Sequence, residues 1–293
     1  MGTAVSIDGK VVPPEEATVS VFDHGFLFGD SVYEVVRTRR GVPVTLDEHL
    51  RRLRASAEAL YLDLPWSDAD LGIRVREVLA AGGNPESYLR VIVTRGKGEI
   101  SLLPDSCVAP TLILIARPLP VPPPSVGRDG IPVVVASRRR NDRRALSPAA
   151  KTGNYLNNLL ALIEARRRGG EDAVLLNPEG AIAEGTTSNV FFVSGGVVRT
   201  PSLDCGILAG ITRDLLLAAL RRAGAAVEEG RYPEASLRSA DEAFLTSTIR
   251  GVAPVTRIDG EPVGDGRPGE VTRRAAALYE EELDRLAAAA GAA

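Results

Sequence analysis

In SVYEVVRT the mostly apolar pattern places Val32, Glu34 and Val36 in alternation with Tyr33, Val35 and Arg37. That period of two predicts a strand with two distinct faces. Upstream, AVSIDGKVV at 4–12 reads as a hairpin around an Asp-Gly turn, and VSVFDHG at 19–25 as a further short segment. Downstream, the turn residues Arg40 to Pro43 lead into an amphipathic helix from about 47 to 61. A second helix is predicted from about 67 to 81, with Asp68 near its start and Gly82-Gly83 after its end. YLRVIVTRG at 88–96 and APTLILIARPL at 109–119 are apolar strands. The loop between them carries Ile100, Leu102 and Leu103, side chains too apolar to be left in water.

The proline-rich stretch at 118–130 is the one evident linker. It divides the chain into a smaller domain at 1–119, a linker at 120–130 and a larger domain at 131–293. The larger domain opens with the strand IPVVVAS and the loop RRRNDRRALSP. A helix follows, with Leu156, Leu159, Leu160 and Ile163 on one apolar face. Short strands come next, DAVLLN, AIAEG, SNVFFV and VVRTP, separated by glycine turns. GILAGITRDLLLAALRRAG enters a helix with Thr212 placed as N-cap and Gly224 as the stop. Strand, Ser/Thr turn and strand fill DEAFLTSTIRGVAPVTRIDG, and a terminal helix closes the chain. The pattern predicts an α/β protein of two domains.

The chain's 293 residues, 44% hydrophobic and 25% charged with a net charge of −3, are those of a globular protein. That charge gives no reason to expect nucleic acid or a membrane surface as partner. The N-terminal residues lack the basic and apolar regions of a signal peptide, and no stretch has transmembrane length, so a cytoplasmic protein is expected. Cys107 and Cys205 have no CxxC spacing, and His24 and His49 are the only histidines, so no metal site is expected. The informative residue is lysine. Of 35 basic side chains only three are lysines, Lys10, Lys97 and Lys151. Where arginine supplies nearly every positive charge, a retained lysine is a candidate for deprotonation and nucleophilic work. Lys10 and Lys97 sit in polar turns; Lys151 stands just ahead of a helix, where an ordinary surface lysine remains the alternative.

A lysine that forms a Schiff base with pyridoxal phosphate needs a phosphate cradle, an acid for the ring nitrogen and a substrate pocket. AGITRD offers the backbone N–H groups of Ile211 and Thr212 at a helix start, where the dipole favours an anion. Ser247 and Thr248 offer hydroxyls at a second turn, and Arg52 a bidentate charge. Glu184 ends a strand of Ala and Ile, a place where a carboxylate needs a cation and a pyridinium would serve. Each feature also has an ordinary reading: a capped helix, a turn, a strand end, a solvated helix face.

Together, EHLRRL, KTGNYLNNLLA, AIAEGTTSNVFFV, LAGITRD and LTSTIRGVAPV, in this order, resemble the class IV, fold type IV, pyridoxal-phosphate aminotransferases. The resemblance runs from FGDSVYEVV to the last helix. It implies a small α/β domain and a larger α/β pseudo-barrel domain that binds pyridoxal 5′-phosphate, the cofactor between them, and a homodimer or higher homo-oligomer. It implies Lys151 as Schiff-base lysine, Glu184 on the pyridine nitrogen and Tyr155 near the cofactor's phenolic oxygen. It further implies phosphate ligands at Arg52, Ile211, Thr212 and Thr248, with Ser247 beside them.

Within that family YLRVIVTRGKGEISLLPDSC looks like the branched-chain enzymes, in which residues matching Tyr88 and Arg90 line the substrate pocket. Their loop matching 97–103 lends apolar residues to the neighbouring subunit's site; the alternative for Ile100, Leu102 and Leu103 is packing within their own domain. FGDSVYEVVR instead resembles the D-amino acid enzymes, and Val35 stands where branched-chain enzymes usually have glycine. The D-amino acid enzymes, however, hold the substrate carboxylate with Arg-x-His in a loop that here reads KGEISLLP. The reading is therefore a transaminase moving an amino group from a branched-chain or hydrophobic amino acid to 2-oxoglutarate. (R)-amine or D-amino acid transamination stands second, aminodeoxychorismate lyase third, and a silent pyridoxal-phosphate-binding protein outside the enzymes. Phe28, Tyr33 and Tyr88 would pack the apolar side chain, with Val35 narrowing the pocket. Arg37 or Arg90 would meet a carboxylate, unless these two are structural ion-pair members.

Overall fold

Asp8 and Gly9 make the predicted reversal with φ of 51° and 90°, because a two-residue turn that follows the strands' twist needs left-handed backbone at both positions. They join β1 (Ala4–Ile7) to β2 (Lys10–Val12) at one end of a six-stranded antiparallel sheet. The computed structural model describes residues 2–291; residues 1, 292 and 293, which the expected domains include, lie outside it. The sheet order is β2-β1-β6-β5-β3-β4, with β3 at Ser31–Arg39, β4 at Val42–Pro43, β5 at Ser87–Thr94 and β6 at Thr111–Pro118. After the short α1 (His24–Phe28) come α2 (Leu46–Glu58) and α3 (Asp68–Gly82). Ser67 opens α3 with a reciprocal capping pair to Asp70, which satisfies two donors at the helix start. Val32, Val36, Leu89, Val91 and Val93 of the sheet share one buried cluster with Leu50 and Leu53 of α2 and Leu71 and Val75 of α3.

The chain divides into two units. The first takes the chain up to Pro120, with Ala150–Asn154 and the residues from Asp284 on; the second takes Val121–Ala149 and Tyr155–Leu283. Lys151, expected within 131–293, thus groups with the first unit, and the reason is backbone pairing. Residues 151–153 run antiparallel along the edge of β3: Tyr33 N donates to Lys151 O at 3.0 Å, and Gly153 N to Ser31 O at 2.8 Å. Arg39 and Asp284 make the corresponding tie for the last residues, an ion pair at 2.9 Å. The stretch expected as an extended linker is partly helical, α4 (Pro124–Asp129), since proline is tolerated at a first helical position.

The second unit holds a sheet of nine strands: β7 (Ile131–Arg139), β8 (Asp172–Leu176), β9 (Ile182–Gly185), β10 (Asn189–Ser194), β11 (Val197–Pro201), β12 (Val227–Gly230), β13 (Glu242–Ser247), β14 (Gly251–Ile258) and β15 (Glu261–Pro262). Their order is β12-β11-β10-β13-β14-β7-β8-β9, with β15 on β14. Because β9 also pairs with β10, at Glu184 and Asn189, six strands close on themselves into a pseudo-barrel. Ile131, Val133, Val174, Ile182, Val190, Phe192, Leu245 and Val255 form one buried cluster within it.

Helix α5 (Leu156–Arg167) corrects the expected apolar face. Leu156 and Leu159 are 64% and 50% exposed, and Ile163 is exposed as well. Asn158, Ala161 and Ala165 are the residues buried, the two alanines in a cluster with Val134, Ala136, Ala173 and Leu175. Small side chains let the helix approach the sheet closely. Three further helices follow, α6 (Ile211–Arg222), α7 (Glu234–Arg238) and α8 (Glu270–Gly291). The N-cap of α6 is Gly210 rather than Thr212, which lies inside the first turn. Among the described residues no helix is long and apolar enough to cross a membrane.

Candidate active site

Within the second unit, Glu184, Asn189 and Thr246 face one another across β9, β10 and β13. The strand registers therefore bring the end of AIAEG, the start of SNVFFV and the Thr-Ser-Thr turn to one edge of the pseudo-barrel. Asn189 draws in the fourth piece: its Nδ2 donates to Leu208 O at 3.0 Å, while Leu208 N donates to Glu184 Oε2 at 2.9 Å. Gly210 packs so tightly that a Cβ there would lie 1.9 Å from Asn189 Oδ1. That close approach explains glycine, which has no side chain to cap α6. The backbone amides of Ile211 and Thr212 therefore head an uncapped helix, a ready anion site. The buried hydroxyls of Ser188 and Thr246 have no hydrogen-bond partner within the protein. Donors at a helix start, unspent hydroxyls and a fixed carboxylate are what a phosphorylated pyridine requires, so these residues fit pyridoxal phosphate.

Glu184 does not wait for a pyridinium to meet its need of a cation. Arg140 Nε donates to Glu184 Oε1 at 2.7 Å, with both side chains largely buried. These two bonds use about two of the carboxylate's four lone-pair sites and leave capacity for a further donor. Asp172, fully buried at the start of β8, braces the neighbouring turns. It accepts from Thr186 Oγ1 through Oδ1 and from Arg250 Nη1 at 2.6 Å through Oδ2. The sequence reading missed Arg140, Asp172 and Arg250. Arg140 is one of five arginines within 138–144 and carries no mark of its own. Asp172 had one, an acid heading the apolar run AVLL.

In the first unit, Val35 pairs with Arg90 and Arg37 with Tyr88 across β3 and β5. Directly opposed residues share a sheet face, so Tyr33, Val35, Arg37, Tyr88 and Arg90 form one surface, opposite the Val32–Val36 core. Lys151 Nζ lies 4.4 Å from the Tyr33 ring centre and Arg90 Cζ 4.0 Å from it. Arg117 lies against Tyr88 in the same way at 4.6 Å. Arg37 Nε is buried without a hydrogen-bond partner. Phe28 lies in α1 edge-on to His24, at 5.0 Å between ring centres. Tyr155 stands at the N-cap of α5 in the second unit. Ser247 and Thr248 are half-buried at the turn that ends β13.

Arg52 is held from the other face of β3. Its Nε and Nη2 donate to Glu34 Oε1 and Oε2 at 2.6 and 2.7 Å, and His49 Nδ1 meets Oε2 at 2.7 Å. Burial by itself would raise the Glu34 pKa, but hydrogen bonds and charge from Arg52 and His49 outweigh it and hold the group at about 2, against 4.5 ordinarily. Burial pushes the His49 pKa down against the pull of Glu34. An ionised carboxylate can only accept, so His49 Nδ1 is the donor in this hydrogen bond. Since the folded-state pKa of Glu34 is depressed, its contribution is complete above 4.5 and lost as pH falls toward 2. That gap corresponds to about 3 kcal/mol. Urea unfolding across this window should show a loss of that size that Glu34→Gln protein lacks; equal losses in both would place the acid sensitivity elsewhere.

Known proteins resemble this chain along most of its length. Residues 31–258 match the family model for amino-transferase class IV. The "Putative branched-chain-amino-acid aminotransferase" of Methanocaldococcus jannaschii is 40% identical over 270 residues, 92% of this chain and 93% of the relative. D-alanine aminotransferase of Bacillus licheniformis is 34% identical over 269 residues, 92% of this chain and 93% of the relative. The crystal structure of the T.th. branched-chain amino acid aminotransferase with pyridoxamine 5′-phosphate superposes with a TM-score of 0.91 at 32% identity, covering 97% of this chain and 94% of that one. With a family match across most of its length and full-length relatives above 30% identity, the chain belongs to the class IV aminotransferases.

Proposed function

We propose that this chain is a pyridoxal-phosphate-dependent transaminase that moves an amino group from a branched-chain or other hydrophobic amino acid to 2-oxoglutarate, by a ping-pong scheme. The observation that carries the reading is the shared face of β3 and β5 beside Lys151. One pocket must accept an apolar side chain and, in the second half-reaction, a carboxylate in its place. Tyr33, Val35 and Tyr88 supply apolar surface on that face, with Arg37 and Arg90 among them. Phe28 is assigned to the same pocket. The branched-chain names of the Methanocaldococcus jannaschii relative and of the T.th. structure support this choice of substrate.

Pyridoxal phosphate, when bound, would supply an electron sink that acidifies the Cα–H bond of the amino acid joined to it. Lys151 is the covalent anchor and, once released, the base: its Nζ takes the Cα proton and gives it back as an acid. Glu184 keeps a proton on the ring nitrogen, and Arg140 and the Leu208 amide fix the carboxylate in place. Ile211, Thr212, Ser247, Thr248 and Arg52 bind the phosphate, and Tyr155 the phenolic oxygen. In the same reading the enzyme is a cytoplasmic homodimer or higher homo-oligomer. Support for the dimer comes from apolar residues left on the surface of the first unit, among them Phe22, Phe26, Ile100, Leu102, Leu103 and Val108.

D-amino acid or (R)-amine transamination is the second reading, favoured by Val35 and by the D-alanine aminotransferase relative. The test mixes the purified pyridoxal form separately with L-leucine, D-alanine and (R)-1-phenylethylamine and follows the cofactor absorbance band. Conversion by L-leucine is expected. Conversion by D-alanine or the amine alone establishes the second reading, and none with any donor a silent cofactor-binding protein.

A further inference from the structure

Glu34 is an expensive way to fill its position. It lies on the core-facing side of β3 with 0% of its surface exposed, between Val32 and Val36, which pack into one cluster with Leu50 and Leu53. Burying a carboxylate costs several kcal/mol unless partners compensate it, and a packed hydrophobic residue would serve the core as well. What the carboxylate achieves is geometric. Its two oxygens receive Nε and Nη2 of Arg52 as parallel bonds at 2.6 and 2.7 Å, the fork arrangement that fixes a guanidinium in plane and rotation. The carboxylate is fixed in turn by His49 Nδ1 at 2.7 Å.

His49, Arg52 and Ser56 fall at i, i+3 and i+7 along α2, on one stripe of the helix. Ser56 Oγ accepts from Lys151 N at 3.0 Å. The helix face that carries the guanidinium therefore also holds the main chain of the candidate catalytic lysine. Glu34 itself ties β3 to α2 through these side chains, and no role in proton transfer is needed to account for it.

We infer that Glu34 and His49 are positioning residues, a buried clamp that holds the Arg52 guanidinium ready for the cofactor's phosphate. The inference rests on Arg52 being a phosphate ligand, as proposed above. A long, flexible side chain ordered before binding has less conformational freedom to lose when the dianion arrives. The clamp therefore acts on the phosphate and leaves the pyridine ring alone.

The test uses the purified chain, stripped of cofactor. It is titrated separately with pyridoxal 5′-phosphate and with pyridoxal, which lacks the phosphate, and read by quenching of the single tryptophan, Trp66. Glu34→Gln and His49→Leu should each weaken pyridoxal phosphate by about tenfold or more and pyridoxal by less than about twofold. His49→Asn, whose amide can stand in for Nδ1–H, should restore most of the loss. If Glu34→Gln protein does not fold, Glu34→Asp keeps the charge but draws it back by one methylene, and it should show the same selectivity. Equal weakening of both ligands would show a merely structural role and overturn the inference, as would unchanged affinity. Arg52→Ala separates the two layers of argument. If it loses phosphate-dependent affinity while the clamp variants do not, the clamp is wrong; if it loses none, the reading of Arg52 itself is wrong.

Discussion

Lys151→Ala protein should fold, bind pyridoxal phosphate without the covalent anchor, and transaminate at least about four orders of magnitude more slowly than the parent chain. The fold should survive because the ties of this segment are main-chain ties. Lys151 N to Ser56, Lys151 O to Tyr33 and Gly153 N to Ser31 all persist with alanine at 151. The loss includes the contact of the amine with the Tyr33 ring, worth about 1 kcal/mol in a setting of this kind. The thermal midpoint should thus move little while the rate collapses, a combination that a general packing defect does not produce. Lys151→Arg should be equally inactive, since a guanidinium neither deprotonates nor forms the covalent link. Activity in Lys151→Ala protein that vanishes only when Lys97 is also replaced would sink the assignment.

The second large effect is expected at Glu184. Glu184→Gln should retain the cofactor yet turn over about two to three orders of magnitude more slowly, because a neutral amide does not hold a proton on the ring nitrogen. The structure adds a second consequence. Arg140 and the Leu208 amide are both donors aimed at this side chain. A glutamine has one oxygen for the two of them, so one donor meets an NH2 group and is stranded. That should lower stability by about 1–3 kcal/mol, visible in urea unfolding. Normal turnover in Glu184→Gln protein would mean that another group faces the nitrogen. A stability loss with normal turnover would reduce Glu184 to the partner of Arg140.

How legible these features were depended on whether neighbouring residues or distant ones set them. The period-two pattern at 32–37 was readable because each side chain's face follows from its own position on the strand, and the hairpin turn because Asp-Gly carries its backbone preference with it. Helix α5 was misread for an instructive reason. Its leucines are spaced for burial, yet the close approach to β7 and β8 selects Ala161 and Ala165 and leaves Leu156 and Leu159 outside. Thr212 looked like an N-cap by residue type, but the cap position is decided by Asn189, which leaves room only for Gly210. The need of Glu184 for a cation was correctly inferred from its apolar strand. Its answer, Arg140, lies 44 positions away in a run of near-identical arginines. Motifs recorded the groups proposed to bind the cofactor; the groups that hold them from behind left almost no local trace.

The pairing of residues 151–153 with the edge of β3 also has a meaning in time. Strands β1 to β6 are complete by Pro118, so the first sheet can assemble from the earliest part of the chain to be synthesised. Its edge beside Ser31–Tyr33 stays open until more than thirty further residues have followed. Contacts of such long sequence separation form late, since the intervening chain must be ordered or looped out first. Lys151 is therefore among the last groups to reach this sheet, and an incompletely made chain carries the scaffold without the amine proposed as nucleophile. A reactive aldehyde that met such a chain would find no docked lysine to capture it.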